Sequence, residues 1–387
     1  MAVVTPDPGT RLPQVGTTIF TVMSALAHEH GAINLSQGFP DFDCPAELQA
    51  AVTRHMAAGR NQYAPMGGVP ALNEAIAAKV STLYGRIVDP TREVTVTAGA
   101  TEAIFCAITS LVRPGDEVIV FDPVYDAYEP AIELAGGRTV HIPLSPPQHA
   151  VDWQRVGEAL GPRTRAIILN SPHNPTGATV SQTDLETLTE LLRDSSVFVI
   201  ADEVYEHIVF DELPHESLNR YPELAARSLV VSSFGKTYHA TGWKIAYCVA
   251  PPRLTEELRK VHQYVTFSVA TPLQYAYADY LGAHPEHYAE LPRFYQAKRD
   301  LFCELLARSC FTVIPSAGTY FQLADYRAIA DSDDVAFTRW LTTHVGVAAI
   351  PISVFYETPD PDQRLVRFCF AKTDNTLQQA AERLCKI

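Results

Sequence analysis

Leu229-Val230-Val231-Ser232-Ser233-Phe234-Gly235-Lys236-Thr237-Tyr238-His239-Ala240-Thr241-Gly242-Trp243-Lys244 is the stretch from which the fold of this chain can be read. Its apolar start reads as a strand, and the strand delivers Lys236 into a turn rich in small and hydroxyl residues. Lys244 then adds a second cation. An amine at the end of a buried strand loses hydration, which lowers its pKa and makes it a Schiff-base former. Taken alone, Ser-x-x-Lys is short and common, and it describes a surface lysine after a core strand equally well. The rest of the chain has to decide between the two.

Similar short runs recur along the chain at Glu93–Thr97, Glu117–Phe121, Arg138–Ile142, Ala166–Leu169, Val197–Ala201, Leu229–Ser232 and Ile245–Ala250. Their apolar character is nearly continuous, as in strands buried on both faces. Amphipathic segments such as Thr101–Val112 and Asp184–Arg193 lie between them, the second opened by Ser181 in a capping-box-like start. The pattern predicts an α/β fold: a large domain on a mostly parallel, seven-stranded sheet with right-handed crossovers. Polar candidates gather just after the strand ends: Gly99-Ala100-Thr101, Asn174, Asp202 and Lys236. Open α/β sheets bind their ligands at that edge.

From about Pro285 the character changes. A helical pattern at Pro292–Ser309 leads to strands at Phe311–Ile314 and Tyr320–Leu323. A helix near Asp333–Thr343, a strand at Leu365–Phe370 and a last helix from Thr376 complete a smaller α+β domain. The expected organisation is an N-terminal segment, residues 1–45, joining the small domain; a large α/β domain, residues 46–284; and the small domain, residues 285–387.

Composition narrows the function. At 47% hydrophobic and 19% charged residues over 387 positions, the chain can bury a large core in two or more folding units. Its formal charge of −14 argues against nucleic acid or an anionic membrane as partner, and requires any anion site to gather its cations locally. The cysteines Cys44, Cys106, Cys248, Cys303, Cys310, Cys369 and Cys385 are scattered and form no C-x-x-C pair, as expected of reduced thiols in a cytoplasmic protein without a metal site. Residues 1–13 hold no apolar signal core, and no apolar run is long enough to cross a membrane.

Asp202, in Asp202-Glu203-Val204-Tyr205, ends an apolar strand, and a buried carboxylate needs a partner there. A protonated pyridine nitrogen would serve, and so would a structural salt bridge or helix cap. Tyr205 can donate to a phenolate oxygen or simply pack half-buried. In Ser171-Pro172-His173-Asn174-Pro175-Thr176-Gly177 two prolines and a glycine aim the Asn174 amide in one direction, although Asn-Pro-x-Gly also describes an ordinary tight turn. His173 reads as a bystander. Gly99-Ala100-Thr101 offers backbone N–H groups and a hydroxyl to a phosphate, or a plain helix cap. Tyr125, in Asp122-Pro123-Val124-Tyr125, can stack on a flat ring or merely pack. Arg367 interrupts the apolar run Leu365–Phe370, so a carboxylate meets it in a fork or the strand is an edge that turns it to solvent. Together these residues point to pyridoxal 5′-phosphate, its aldehyde on Lys236 and its phosphate between Ser233 and Lys244.

The chain resembles the class I aminotransferases, pyridoxal-phosphate enzymes of fold type I. Within them it is most similar to the bacterial methionine aminotransferases, in the branch that holds kynurenine aminotransferase (glutamine transaminase K). The similarity runs from Leu12-Pro13-Gln14-Val15-Gly16-Thr17-Thr18-Ile19-Phe20 and Asn34-Leu35-Ser36-Gln37-Gly38-Phe39-Pro40-Asp41-Phe42 to Arg367-Phe368-Cys369-Phe370-Ala371-Lys372. It is most specific at the lysine stretch and at Asn61-Gln62-Tyr63-Ala64-Pro65-Met66-Gly67. The resemblance implies that Lys236 holds the cofactor and moves the proton between the substrate's α-carbon and cofactor C4′. It implies Asp202 on the ring nitrogen, Asn174 and Tyr205 on the phenolate oxygen, and Tyr125 on the ring face. Gly99, Ala100, Thr101, Ser233 and Lys244 would take the phosphate, with Tyr63 reaching in from a second subunit. Arg367, the Gly38 backbone and Asn174 would grip the α-carboxylate. Phe20, with Phe267 from the partner, would line a pocket for large apolar side chains. Two positions depart from the commoner class I pattern: Lys244 stands where many members have arginine, and Ala246 where glycine is usual.

The expected function is therefore a homodimeric aminotransferase with shared active sites. It would move the amino group of methionine, or of an aromatic, glutamine-like or kynurenine substrate, to a 2-oxo acid by ping-pong half-reactions. Two alternatives use the same residues: a β-lyase acting on cysteine S-conjugates, and a cofactor-binding regulator without turnover.

Overall fold

Strands β1 (Val94–Thr97), β2 (Glu117–Asp122), β3 (Arg138–Pro143), β4 (Thr164–Asn170), β5 (Phe198–Asp202), β6 (Ser228–Ser233) and β7 (Ala246–Val249) form one sheet in the order β1-β7-β6-β5-β4-β2-β3. Strand β7 is antiparallel to β1 and β6, and every other pair is parallel. With β7 alone reversed, β1 still points the same way as β6. The C-terminal ends of β1, β4, β5 and β6 therefore share one edge. This computed structural model describes residue 7 and residues 9–387; residues 1–6 and 8, part of the stretch read as lacking a signal core, lie outside it.

The continuous apolar runs have the expected cause. Along β2, Val118 and Val120 face one side, where they pack with Ile104 and Ile108 of the helix Ala100–Leu111. Ile119 and Phe121 face the other, against Leu185 and Leu188 of the helix Gln182–Leu192. Each such side chain, fully buried, contributes roughly 1.5–3 kcal/mol. The edge strand β3 is the exception, since only Ile142 in it is buried. Ser181 caps the second helix as its sequence suggested: its Oγ accepts from the Asp184 N–H at 3.2 Å, and Asp184 Oδ2 accepts from the Ser181 N–H at 2.7 Å.

The C-terminal part is a four-stranded antiparallel sheet, ordered Ile350–Pro351, Leu365–Cys369, Phe321–Asp325, Thr312–Val313. Its long helix runs Glu286–Leu306 instead of opening at Pro292, which lies inside it. Proline is at home in a first turn and removes an N–H inside a helix. The buried stripe Leu291, Tyr295, Phe302 and Leu306 continues across the proline, and burying that stripe outweighs one lost N–H. The N-terminal residues pack with this part. Ile33–Asn34 pairs in parallel with Val347–Ala348, and Met23 of the helix Ile19–Glu29 packs with Ile350, Ile352 and Phe355. Among the described residues no helix is long and apolar enough to cross a membrane.

Candidate active site

The shared strand edge opens into a cavity of about 360 Å³, lined also by Gly38, Phe321 and Arg367. Lys236 enters it from a single helical turn, Phe234–Thr237, directly after β6. Its Nζ donates to the Gly38 carbonyl at 3.3 Å and lies 5.5 Å from the Tyr205 ring centroid and 5.6 Å from that of Tyr320. Burial above all, with the Lys244 and Arg367 charges adding, brings its amine down from 10.5 to about 8.

Asp202 closes β5 and is buried. Burial raises its carboxyl from 3.8 to about 6, against donors that hold it down. Tyr128 Oη donates to Oδ2 at 2.5 Å, whereas Oδ1 takes only a long bond, 3.3 Å, from the Val204 N–H. In the adjacent strand β4, Asn170 lies opposite Asp202. Its Nδ2 donates to the Asp202 carbonyl at 2.8 Å, and its Oδ1 accepts from the Asn174 N–H at 2.8 Å. One amide thus ties the carboxylate strand to the turn that carries Asn174. That turn needs Gly177: its φ is +74°, and a Cβ there would fall 2.5 Å from Ser316 Cβ. His173 is buried beside it, with Nδ1 2.8 Å from Thr176 Oγ1. Burial brings this imidazole down to about 3, and the residue stays out of the cavity wall.

Arg367 is 1% exposed, so it is not a solvent-facing edge arginine. Nη1 donates to Asn174 Oδ1 at 2.6 Å and Nη2 to the Ser36 carbonyl at 2.9 Å. The guanidinium lies 3.8 Å from the Phe321 ring centroid and 5.1 Å from that of Phe20, while Nε has no partner among the described residues. A cation held under aromatic faces with donor capacity to spare is suited to a carboxylate.

Gly99, Ala100, Thr101, Ser233 and Lys244 meet at one end of the cavity. Gly99 has φ +83° and caps the helix Ala100–Leu111, whose first N–H groups have no intrahelical partner. A Cβ at residue 99 would lie 2.9 Å from Lys244 Nζ, so glycine makes room for the ammonium. Behind this cradle, Glu102 accepts from the Ala98 N–H at 3.0 Å, from Cys106 Sγ at 2.9 Å, and pairs with His262 Nδ1 at 2.8 Å. Those separations are hydrogen-bond contacts, shorter than the roughly 3.3 Å between ligands sharing one zinc ion.

Tyr125 and Tyr205 also stand in the wall, and burial raises both phenols well above their ordinary value. Two expected residues are elsewhere. Tyr63 is 83% exposed and packs edge-on against Phe267 on the outer surface, ring centroids 5.3 Å apart. Neither lines the cavity of its own chain. Residues not anticipated are Tyr128, Asn170 and Tyr320, whose Oη donates to the Gly38 carbonyl at 2.6 Å. Asn170 carried a readable signal, a polar residue directly after an apolar strand. Tyr128 and Tyr320 carried none.

Residues 30–384 match the family model described as Aminotransferase class I and II. A methionine aminotransferase of Escherichia coli is 56% identical over 377 residues, 97% of each chain. A human kynurenine–oxoglutarate transaminase 1 is 35% identical, covering 93% of each. The crystal structure of YbdL from Escherichia coli, described with a methionine aminotransferase function, superposes with a TM-score of 0.97 at 55% identity over 99% of this chain and 100% of the other.

Proposed function

The chain belongs to the class I and II aminotransferases, and from that premise we propose that it uses pyridoxal 5′-phosphate to move the amino group of methionine to a 2-oxo acid in two half-reactions. The observation that carries this reading is the convergence of Lys236, Asp202 and Arg367 on one cavity. The donor set fits the cofactor: an amine lowered to about 8, a buried carboxylate with one weakly engaged oxygen, and a cradle that a Cβ at residue 99 would fill. When bound, the cofactor supplies an aldehyde for the amine and an electron-withdrawing ring.

The chain's own groups have separable tasks. Gly99, Ala100, Thr101, Ser233 and Lys244 hold the phosphate, Asp202 the ring nitrogen, Tyr205 and Asn174 the phenolate oxygen, and Tyr125 the ring face. Arg367, Asn174 and the Gly38 backbone orient the amino acid's carboxylate, which places the α-hydrogen towards Lys236. Lys236 Nζ, near neutrality at its lowered pKa, takes that proton. Among the described residues, Lys236, Lys244 and Arg367 are the only cations in the cavity wall, and each already has a task, so none of these is left for a second carboxylate. With Phe20 and Phe321 beside Arg367, this supports an uncharged side chain such as the methionine thioether.

The exposed Tyr63–Phe267 pair supports a homodimer in which each subunit lends these rings to its partner's site. Seven free cysteines support a reducing, cytoplasmic setting. In this reading residues 46–284 hold the cofactor, and residues 1–45 with 285–387 close over the substrate. The test is to mix cofactor-loaded protein with L-methionine and no acceptor. Bleaching of the cofactor's visible absorbance, with matching release of the 2-oxo acid, is expected; an unchanged spectrum rejects methionine.

A further inference from the structure

Tyr128 was not among the residues expected to act, yet it makes the shortest contact to the carboxylate at the centre of the site. It stands at the start of the helix Tyr128–Leu134, 3% exposed, its ring edge-on to Tyr125 at 5.6 Å. Its Oη has one hydrogen-bond partner among the described residues, Asp202 Oδ2 at 2.5 Å. The phenol is a fixed donor: burial, and then the neighbouring Asp202 charge, raise it well above 10. The other carboxylate oxygen, Oδ1, has only the long 3.3 Å contact to the Val204 N–H. The two oxygens are therefore unequal, one held by a short donor and one only weakly engaged.

We propose that Tyr128 is a positioning residue for the transamination: its hydroxyl fixes Asp202 Oδ2 so that the carboxylate stays ionised and presents Oδ1 to the cofactor's ring nitrogen. A buried carboxylate tends to neutralise itself by taking up a proton, and a neutral acid is a poor partner for a ring cation. The groups bearing on Asp202 are Tyr128 from its helix, the Val204 N–H, Lys236 beside β6 and Glu203, whose charge opposes ionisation. Of these, only Tyr128 donates at short range. The proposal rests on the cofactor reading above.

A double-mutant cycle tests it, because a residue that acts through Asp202 loses its effect when Asp202 cannot be ionised. Wild type, Tyr128→Phe, Asp202→Asn and the double variant are loaded with pyridoxal 5′-phosphate. Cofactor dissociation constants, absorbance spectra against pH and the single-turnover rate with L-methionine are then measured. Tyr128→Phe keeps the ring packing, and equal thermal midpoints of the apoproteins check the fold. Expected is about a tenfold or greater loss in cofactor affinity and half-reaction rate for Tyr128→Phe, the scale of one hydrogen bond to a charged group, with no further loss in the Asp202→Asn background. Additive effects in the cycle, or wild-type affinity and spectra in Tyr128→Phe, would overturn the proposal while leaving the cofactor reading intact. A wild type that takes up no cofactor would overturn both.

Discussion

Asp202, the last residue of β5, and Glu206, four residues on in the turn that follows, are both buried carboxylates near a lysine, but their surroundings are opposite. Around Glu206 almost every donor is used. Lys79 Nζ lies 2.6 Å from Glu206 Oε1 and 2.7 Å from Tyr247 Oη, and Tyr84 Oη donates to Oε2 at 2.6 Å. Burial alone would raise the Glu206 carboxyl, but Lys79, His207 and Tyr84 outweigh it and hold the group well below the carboxylate range. Around Asp202 the groups are left short. Among the described residues Oδ1 has one long contact, Lys236 has one at 3.3 Å, and Arg367 Nε has none. The first cluster is closed upon itself and holds the helix Pro70–Tyr84 to the sheet. The second keeps capacity for something else. Buried charge serves architecture where its partners are complete and chemistry where they are not.

Methionine placed at each lysine should separate the two clusters by the largest effect. Lys236→Met removes the proposed covalent anchor and proton carrier, so turnover should fall at least about 10⁴-fold. Apoprotein stability in urea should stay level or rise by up to about 1 kcal/mol, as for other groups kept for function. Lys79→Met should do the reverse, lowering stability by about 3–5 kcal/mol through the stranded Glu206 charge while residual folded protein keeps its KM. A stabilised Lys79→Met would erase the distinction between the two clusters.

Arg367→Lys asks a smaller question, whether the fork or the charge matters. A single ammonium cannot serve Asn174, the Ser36 carbonyl and a substrate carboxylate at once. KM for the amino acid should rise about 10–100-fold with thermal stability nearly unchanged, and a rise below about threefold would assign the carboxylate to another group.

Acidity separates the clusters most gently. His207, beside Glu206, is brought down to about 3, chiefly by burial and then by Lys79, from 6.5. The unfolded chain thus binds more protons between those values. This contribution to stability is complete above about 6.5 and is lost as the pH falls towards 3, which urea unfolding at stepped pH would record. Lys236, at about 8 against 10.5, acts in the alkaline window instead. The apoprotein gains stability from it as the pH rises from 8 to 10.5, and cofactor uptake should accelerate through pH 8. A pH-independent uptake rate would contradict the lowered amine.

The strands were legible because burial on both faces leaves an uninterrupted apolar run, and their ends set where Asp202 and Lys236 point. Arg367 was legible as a charge in an apolar strand, though the aromatic faces around it were not. Tyr128 shows the limit. It sits three residues after Tyr125, where the loop enters a helix, and nothing local distinguishes a phenol that meets a carboxylate from one that meets a ring. That difference arises only when β5 is laid beside the helix Tyr128–Leu134. Pro292 misled for a related reason, because the stripe that carries the helix through it is recognised only by the sheet it packs on.

Lys244 has a left-handed backbone, φ 55°, at the end of the turn Thr241–Trp243, a conformation that disfavours lysine by about 1–2 kcal/mol relative to glycine. Its ammonium is brought over Gly99, itself a residue with positive φ. A stability-driven redesign would exchange Lys244 for glycine or asparagine and relax the turn. It would also dismantle the phosphate cradle proposed there. The strained lysine therefore marks a place where greater robustness and cofactor retention pull in opposite directions.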